Sequence, residues 1–75
     1  MNSLGQIIKG YRKKQLKSQL DVEIEADMAL GSISRIENMK VIPQITTLIK
    51  LFRILEVNEQ DIVKIFKESI VVSQV

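Results

Sequence analysis

The chain has no cysteine and no histidine among its 75 residues. Without cysteine there is neither a disulfide framework nor a thiolate metal site. Without histidine, the commonest general base and the commonest metal ligand are both missing. No phosphate-cradling glycine-rich loop and no convincing carboxylate pair replaces them, so neither an enzyme nor a cofactor or metal is expected. No apolar run approaches the ~18 residues of a membrane span, and the N-terminus carries no signal-peptide pattern. The expected setting is therefore cytoplasmic, with no membrane contact.

Hydrophobic residues make up 45% of the chain and charged residues 27%, the balance of a folded globular protein. A chain of 75 residues is one domain, so small that nearly every apolar residue must serve a single core. The formal net charge of +2 is too mild to argue for nucleic acid by itself, but its distribution is uneven. Lys9, Arg12, Lys13, Lys14 and Lys17 crowd the first quarter, and Asp21, Glu23, Glu25 and Asp27 follow at once. Taken alone, the lysines describe a solvated, cation-rich helix end that suits the helix dipole.

Helical periodicity runs through the whole chain. Ser3 followed by Gln6 is a capping-box pattern, and Leu4, Ile7, Ile8 and Tyr11 recur at helical spacing, giving a first helix that reaches Gln15. Gly5 and Gly10 weaken it by about 1 kcal/mol each relative to alanine, while glycine on a helix surface also permits close packing. Gln15-Leu16-Lys17 is a connector, with Leu16 expected beneath the second helix. Ser18 as N-cap and Asp21 in the first turn start that helix. Val22 and Ala26 share one of its faces, and Asp27, tolerant of left-handed angles, can form the corner with Met28.

Beyond the corner, Ile33 and Ile36 mark a packing side, while Ala29, Leu30, Ser32 and Arg35 lie largely off it. Asn38 to Gln44 is a loop in which Pro43 restricts Ile42. A fourth helix spans Ile45 to Leu55, with Leu48, Leu51, Phe52 and Leu55 on one face. A fifth begins after Asn58 as N-cap, with Glu59 and Asp61 in its first turn and Ile62, Ile65 and Phe66 inward. The stretch 69–75, SIVVSQV, is β-branched and uncharged. It fits a frayed tail, a continuation of the fifth helix, or an apolar strip covered by a second subunit.

The order and spacing of Leu4-Gly5, Arg12-Lys13, Ser18-Gln19, Ser34-Arg35-Ile36-Glu37 and Pro43 resemble the Cro-repressor-type (XRE) helix-turn-helix family, with its lambda-repressor-like DNA-binding domains. The resemblance implies an all-α, compact five-helix fold with the second and third helices forming the helix-turn-helix; the DNA-binding domain is expected over residues 1–68, and the apolar strip 69–75, beyond the family-like helices, is expected to serve dimerisation or partner binding. It implies double-stranded DNA as partner, a recognition helix around 29–38 in the major groove, and a homodimer on two half-sites about one helical turn apart. Arg12 and Glu37 would form a partly buried ion pair orienting that helix. Asn38 and Lys40 would touch the DNA backbone, and Gln19, at the start of the second helix, is placed to meet a phosphate.

The base-facing set is Ala29, Leu30, Gly31, Ser32 and Arg35. Arg35 can bind guanine through two donors, Ser32 can donate or accept, and Ala29 or Leu30 can pack on a thymine methyl. The bland alternative for Arg35 is a phosphate contact or a nearby carboxylate. Gly31, inside the expected helix, either allows closer approach to the groove or weakens the helix. Two positions depart from the family pattern: Glu23 stands where a small alanine is usual, and Asp27 replaces the glycine of the corner. A buried, unpaired carboxylate is costly. Either Glu23 turns to solvent and finds a cation, or the second helix rotates so that Leu20, Ile24 and Met28 face inward.

Three functions fit this pattern. One is a small dimeric transcription regulator, such as a repressor. Another is an antitoxin-like autoregulator that also grips a partner protein through its C-terminal tail. The last is a helical protein-interaction domain without DNA affinity, which the acidic second helix and sparse recognition helix would allow.

Overall fold

The computed structural model describes residues 3–67, and the expected tail 69–75 lies outside the described residues. The described residues form five helices and no strand: α1 (Leu4–Lys14), α2 (Gln19–Glu25), α3 (Ser32–Glu37), α4 (Ile45–Leu55) and α5 (Glu59–Ile65). The all-α fold expected from the sequence is the one observed.

Three helix starts are written locally. Ser3 Oγ accepts the Gln6 N–H at 3.2 Å while Gln6 Oε1 accepts the Ser3 N–H at 3.1 Å, closing a capping box. Ser18 and Asp21 do the same for α2 at 2.9 and 2.8 Å. Asn58 Oδ1 accepts the Asp61 N–H at 2.8 Å and starts α5.

The ends of α1 to α4 share one device. Leu16, Asp27, Met39 and Glu56 all have left-handed backbone angles, with φ between 55 and 58°. Each sits at the centre of a Schellman turn, in which the next N–H reaches five residues back. The bonds are Lys17 to Arg12 O at 3.1 Å, Met28 to Glu23 O at 2.8 Å, Lys40 to Arg35 O at 2.8 Å and Val57 to Phe52 O at 2.9 Å. Asp27 thus makes the corner between α2 and α3 without glycine. Leu16 departs from expectation: it is 92% exposed and not tucked beneath α2, because a left-handed corner residue points its side chain away from the turn it closes.

The core is one apolar cluster. Leu4 and Ile8 of α1, Val22 of α2, Ile33 and Ile36 of α3, Leu48, Leu51 and Leu55 of α4, and Ile65 of α5 are almost wholly buried. Each such side chain stabilises the fold by about 1.5–3 kcal/mol relative to exposure. Phe52 and Phe66 pack edge to face with centroids 6.4 Å apart. Tyr11 joins α1 to the start of α5: its hydroxyl donates to Asp61 and accepts the Asn58 N–H.

α2 keeps Val22 and Ala26 on its inner face, and Glu23 is buried beside them. Leu20 and Ile24 remain 49% and 69% exposed. Neither arrangement expected for this helix is therefore adopted. It is not rotated onto Leu20 and Ile24, although Met28, just beyond it, does pack against the core, and Glu23 does not turn to solvent.

Candidate nucleic-acid interface

A helix of six residues is far too short to persist in water by itself. α3 is held from outside, along one side and at both ends. Ile33 and Ile36, at 0 and 2% exposure, are the plugs that fix its inner side to the core.

The C-terminal end is anchored through Glu37. Arg12 Nε lies 2.7 Å from Glu37 Oε2 and Arg12 Nη2 lies 3.2 Å from Oε1, a two-point contact between buried groups. Gln19 Nε2 donates to the same Oε1 at 3.0 Å, and Arg12 Nη1 donates to the Lys17 carbonyl at 2.8 Å. With most of their polar atoms engaged, both charges tolerate burial. Gly5 makes this crossing possible: a Cβ there would lie 2.4 Å from the Glu37 carbonyl oxygen and 2.6 Å from that of Ile36. The backbone of α1 therefore rests directly on the end of α3.

The N-terminal end has no local cap. Gly31 occupies the N-cap position with φ 86° and offers no side chain. Glu23 acts from α2 instead, its Oε2 accepting the N–H groups of Gly31 and Ile33 at 3.1 Å each. The first N–H groups of any helix lack partners within it. Here they supply what a cation would have supplied to the buried carboxylate.

Two short helices, joined by the left-handed Asp27 corner and crossed by α1, present the outer side of α3 to solvent. A family model described as helix-turn-helix matches residues 8–62 of the chain. The chain belongs to the Cro-repressor-type (XRE) helix-turn-helix family. That family consists of DNA-binding regulators and is not an enzyme family. Neither the curated proteins nor the solved structures gave a match.

Within this helix-turn-helix, the recognition helix is shorter than the expected 29–38. Ala29, Leu30 and Gly31 precede α3 and are all exposed, Leu30 at 76%. Gly31 is thus not inside a helix; it turns the chain into one, where its positive φ favours glycine. Ser32 is half-buried and its hydroxyl donates to the Ala29 carbonyl, bracing the turn. Arg35 is exposed, and its Nη2 comes within 4.0 Å of where a Gly31 Cβ would sit. The guanidinium therefore folds back over the start of α3.

Asn38 caps the end of α3, its Nδ2 donating to the Ser34 carbonyl at 2.9 Å and to the Ser34 hydroxyl at 3.3 Å. Lys40 follows, exposed. Among the described residues, neither Arg35 nor Lys40 forms a hydrogen bond or ion pair through its side chain. Because Glu37 turns inward to Arg12, the outer side of α3 carries no carboxylate.

The acidic charge of α2 is largely engaged elsewhere. Glu25 pairs with Lys17 at 3.0 Å. The Ser18 N–H and then its hydroxyl hold the Asp21 carboxyl below the ordinary carboxylate range. No cluster of metal-ligating side chains occurs among the described residues, and none of their helices is long and apolar enough to cross a membrane.

One positioning role is not evident in the sequence, that of Glu23 as a cap, and the close packing expected of glycine in α1 falls at Gly5, against the end of α3, and not at Gly10. A signal for Glu23 was present: no Ser, Thr, Asp or Asn stands at 29–31 to cap α3, so its amides had to find a partner elsewhere.

Proposed function

We propose that the chain is a sequence-specific, double-stranded DNA-binding transcription regulator that offers α3 and the turn before it to the major groove. The observation that carries this is the two-sided character of α3. Ile33 and Ile36 lock its inner side, while Arg35 stands on its outer side with no described partner. A helix fixed on one side and cationic on the other suits a surface whose base edges accept hydrogen bonds and whose rim is phosphate.

In this reading Arg35 donates two hydrogen bonds to a guanine, and Ala29 and Leu30 meet thymine methyl groups. Gly31 allows close approach, and Ser32 stiffens the turn and offers its oxygen. Lys40, Asn38 and Gln19 meet the DNA backbone. Gln19 keeps a donor for this, because its Nε2 carries two protons and donates one to Glu37 Oε1, whereas Asn38 Nδ2 donates to both Ser34 oxygens and meets a phosphate by exchanging the longer of the two.

The protein acts as a homodimer on two half-sites about one helical turn apart. A dimer is favoured by the apolar groove between α4 and α5, where Ile45 and Ile49 are about half-exposed beside Ile62 and Phe66. The segment 69–75, following α5, is proposed to extend that contact. In this role the protein works in the cytoplasm.

Selection of bound sites from a random duplex pool tests the reading. It should return paired half-sites whose centres lie about 10–10.5 base pairs apart, and the guanine preference should vanish with Arg35→Ala. Recovery of no enriched site, together with a monomer by sedimentation at micromolar concentration, would reject it. The groove also suits a partner protein, as in an antitoxin-like autoregulator, and co-purification of a second chain bound at α4 and α5 would favour that variant.

A further inference from the structure

The geometry points to Glu23 as the residue that positions the recognition surface: from α2, its carboxylate holds the first turn of α3 through the Gly31 and Ile33 N–H groups. This rests on the DNA-binding reading above.

The side chain is 4% exposed and has no cationic partner among the described residues. Its hydrogen bonds go to main-chain amides on either side of Ser32, the donors at 3.1 Å each. One oxygen, Oε2, accepts both. Two bonds to one oxygen fix both the axial position and the rotation of the first turn, which a single bond would leave able to pivot.

The segment so fixed is short and otherwise lightly held. Ala29, Leu30 and Gly31 are exposed, and the side chain before Ile33 that touches the chain locally is Ser32, bonded within the same turn. Arg35 depends on this turn as well, since its guanidinium lies over Gly31. A shift of the first turn therefore moves every proposed base-facing group together. The Ile33 and Ile36 plugs and the Arg12–Glu37 pair hold α3 against the core, but apolar contact is non-directional and the ion pair lies at the opposite end, so neither fixes the path of the turn before Ile33.

Glu23 thus sets how well the protein discriminates between sequences, and has little influence on how many phosphates it neutralises. Glu23→Gln keeps an acceptor oxygen at the same place. Glu23→Met keeps the volume and removes the acceptor, leaving the Gly31 and Ile33 N–H groups without it at some cost in stability.

The test measures binding of the wild type and both variants to the best selected duplex and to a scrambled duplex, across salt. Amide hydrogen exchange at Gly31 and Ile33 is followed in the unbound proteins. Glu23→Met should lose protection at both amides and reduce the preference for the best duplex by about tenfold or more, the size of one lost base contact. Its salt slope should stay at the wild-type value. Glu23→Gln should keep the preference within about threefold, on the order of a lost charge with the bond retained.

A Glu23→Met protein that discriminates like the wild type overturns the inference. So does equal loss in both variants, since the acceptor oxygen would then not be the determinant. If Glu23→Met does not fold, Glu23→Gln decides: protected amides with intact discrimination support the inference, and lost discrimination overturns it. A wild type that binds no duplex is a different failure, one of the DNA-binding reading itself.

Discussion

Gly5→Ala and Gly10→Ala make the same change in the same helix, yet should move stability in opposite directions. At Gly5 the new Cβ would lie 2.4 Å from the Glu37 carbonyl oxygen, 2.6 Å from that of Ile36 and 2.8 Å from the Glu37 carbonyl carbon. All three are main-chain atoms and cannot swing aside as a side-chain tip can. Relief requires α1 and the end of α3 to part by about 1 Å to reach ordinary van der Waals separation. Overpacking of this kind costs about 1–3 kcal/mol, and the higher helix propensity of alanine offsets at most ~1 kcal/mol of it. With three main-chain contacts under 3.0 Å the cost falls in the upper part of that range, about 2–3 kcal/mol, and a net loss of about 1–2 kcal/mol remains.

At Gly10 nothing lies within 4 Å of the added Cβ, so propensity acts alone and gives a gain of about 0.5–1 kcal/mol. In a domain of this size, 1 kcal/mol moves the thermal midpoint by about 4–8 °C. Thermal unfolding followed by circular dichroism should show a lowered midpoint for Gly5→Ala and a raised one for Gly10→Ala. If both variants melted higher than the wild type, the close approach of α1 to α3 would be refuted.

Other consequences can be checked in the same way. Arg12→Met leaves Glu37 buried without its cation and should cost about 3–5 kcal/mol in urea unfolding, whereas Arg12→Met with Glu37→Met should cost clearly less. Strict additivity would count against a coupled pair. Tyr11, the one tyrosine in the chain, has its pKa raised above the ordinary 10.0, first by the hydrogen bond to Asp61 and then by burial. Its stabilising contribution is therefore full below about pH 10 and is lost as pH rises through the folded-state value. Phenolate absorbance should titrate later in the folded protein than in denaturant, and Tyr11→Phe should soften the alkaline loss of stability. Coincident titration in both states would contradict this.

Elements whose signals are local were legible in the sequence. α4 begins and ends where its large apolar residues do, from Ile45 to Leu55. The starts of α1, α2 and α5 follow from the Ser3, Ser18 and Asn58 caps. The corner residues were harder than the helix ends, because left-handed corners usually advertise themselves as glycine and here use Leu16, Met39 and Glu56. A leucine between helices reads as core, and Leu16 was misjudged for that reason.

The recognition helix was read too long because the turn before it, Ala29-Leu30-Gly31, has no local cap to mark a boundary. Its cap is a carboxylate on another helix, eight residues back, and no periodicity announces such a partner. Close packing at a glycine of α1 was expected, but which of Gly5 and Gly10 carries it depends on how α1 crosses α3.

The central claim is that α3 presents Arg35 outward, at a fixed angle, to duplex DNA. Titration of the best selected duplex at rising salt, with the wild type and Arg35→Ala side by side, tests it most directly. Wild-type affinity should fall steeply from low to physiological salt as counterions compete for the phosphates. Arg35→Ala should fold normally and lose about 1–3 kcal/mol of preference for that duplex. Affinity that is flat across salt and unchanged by the substitution would contradict the account.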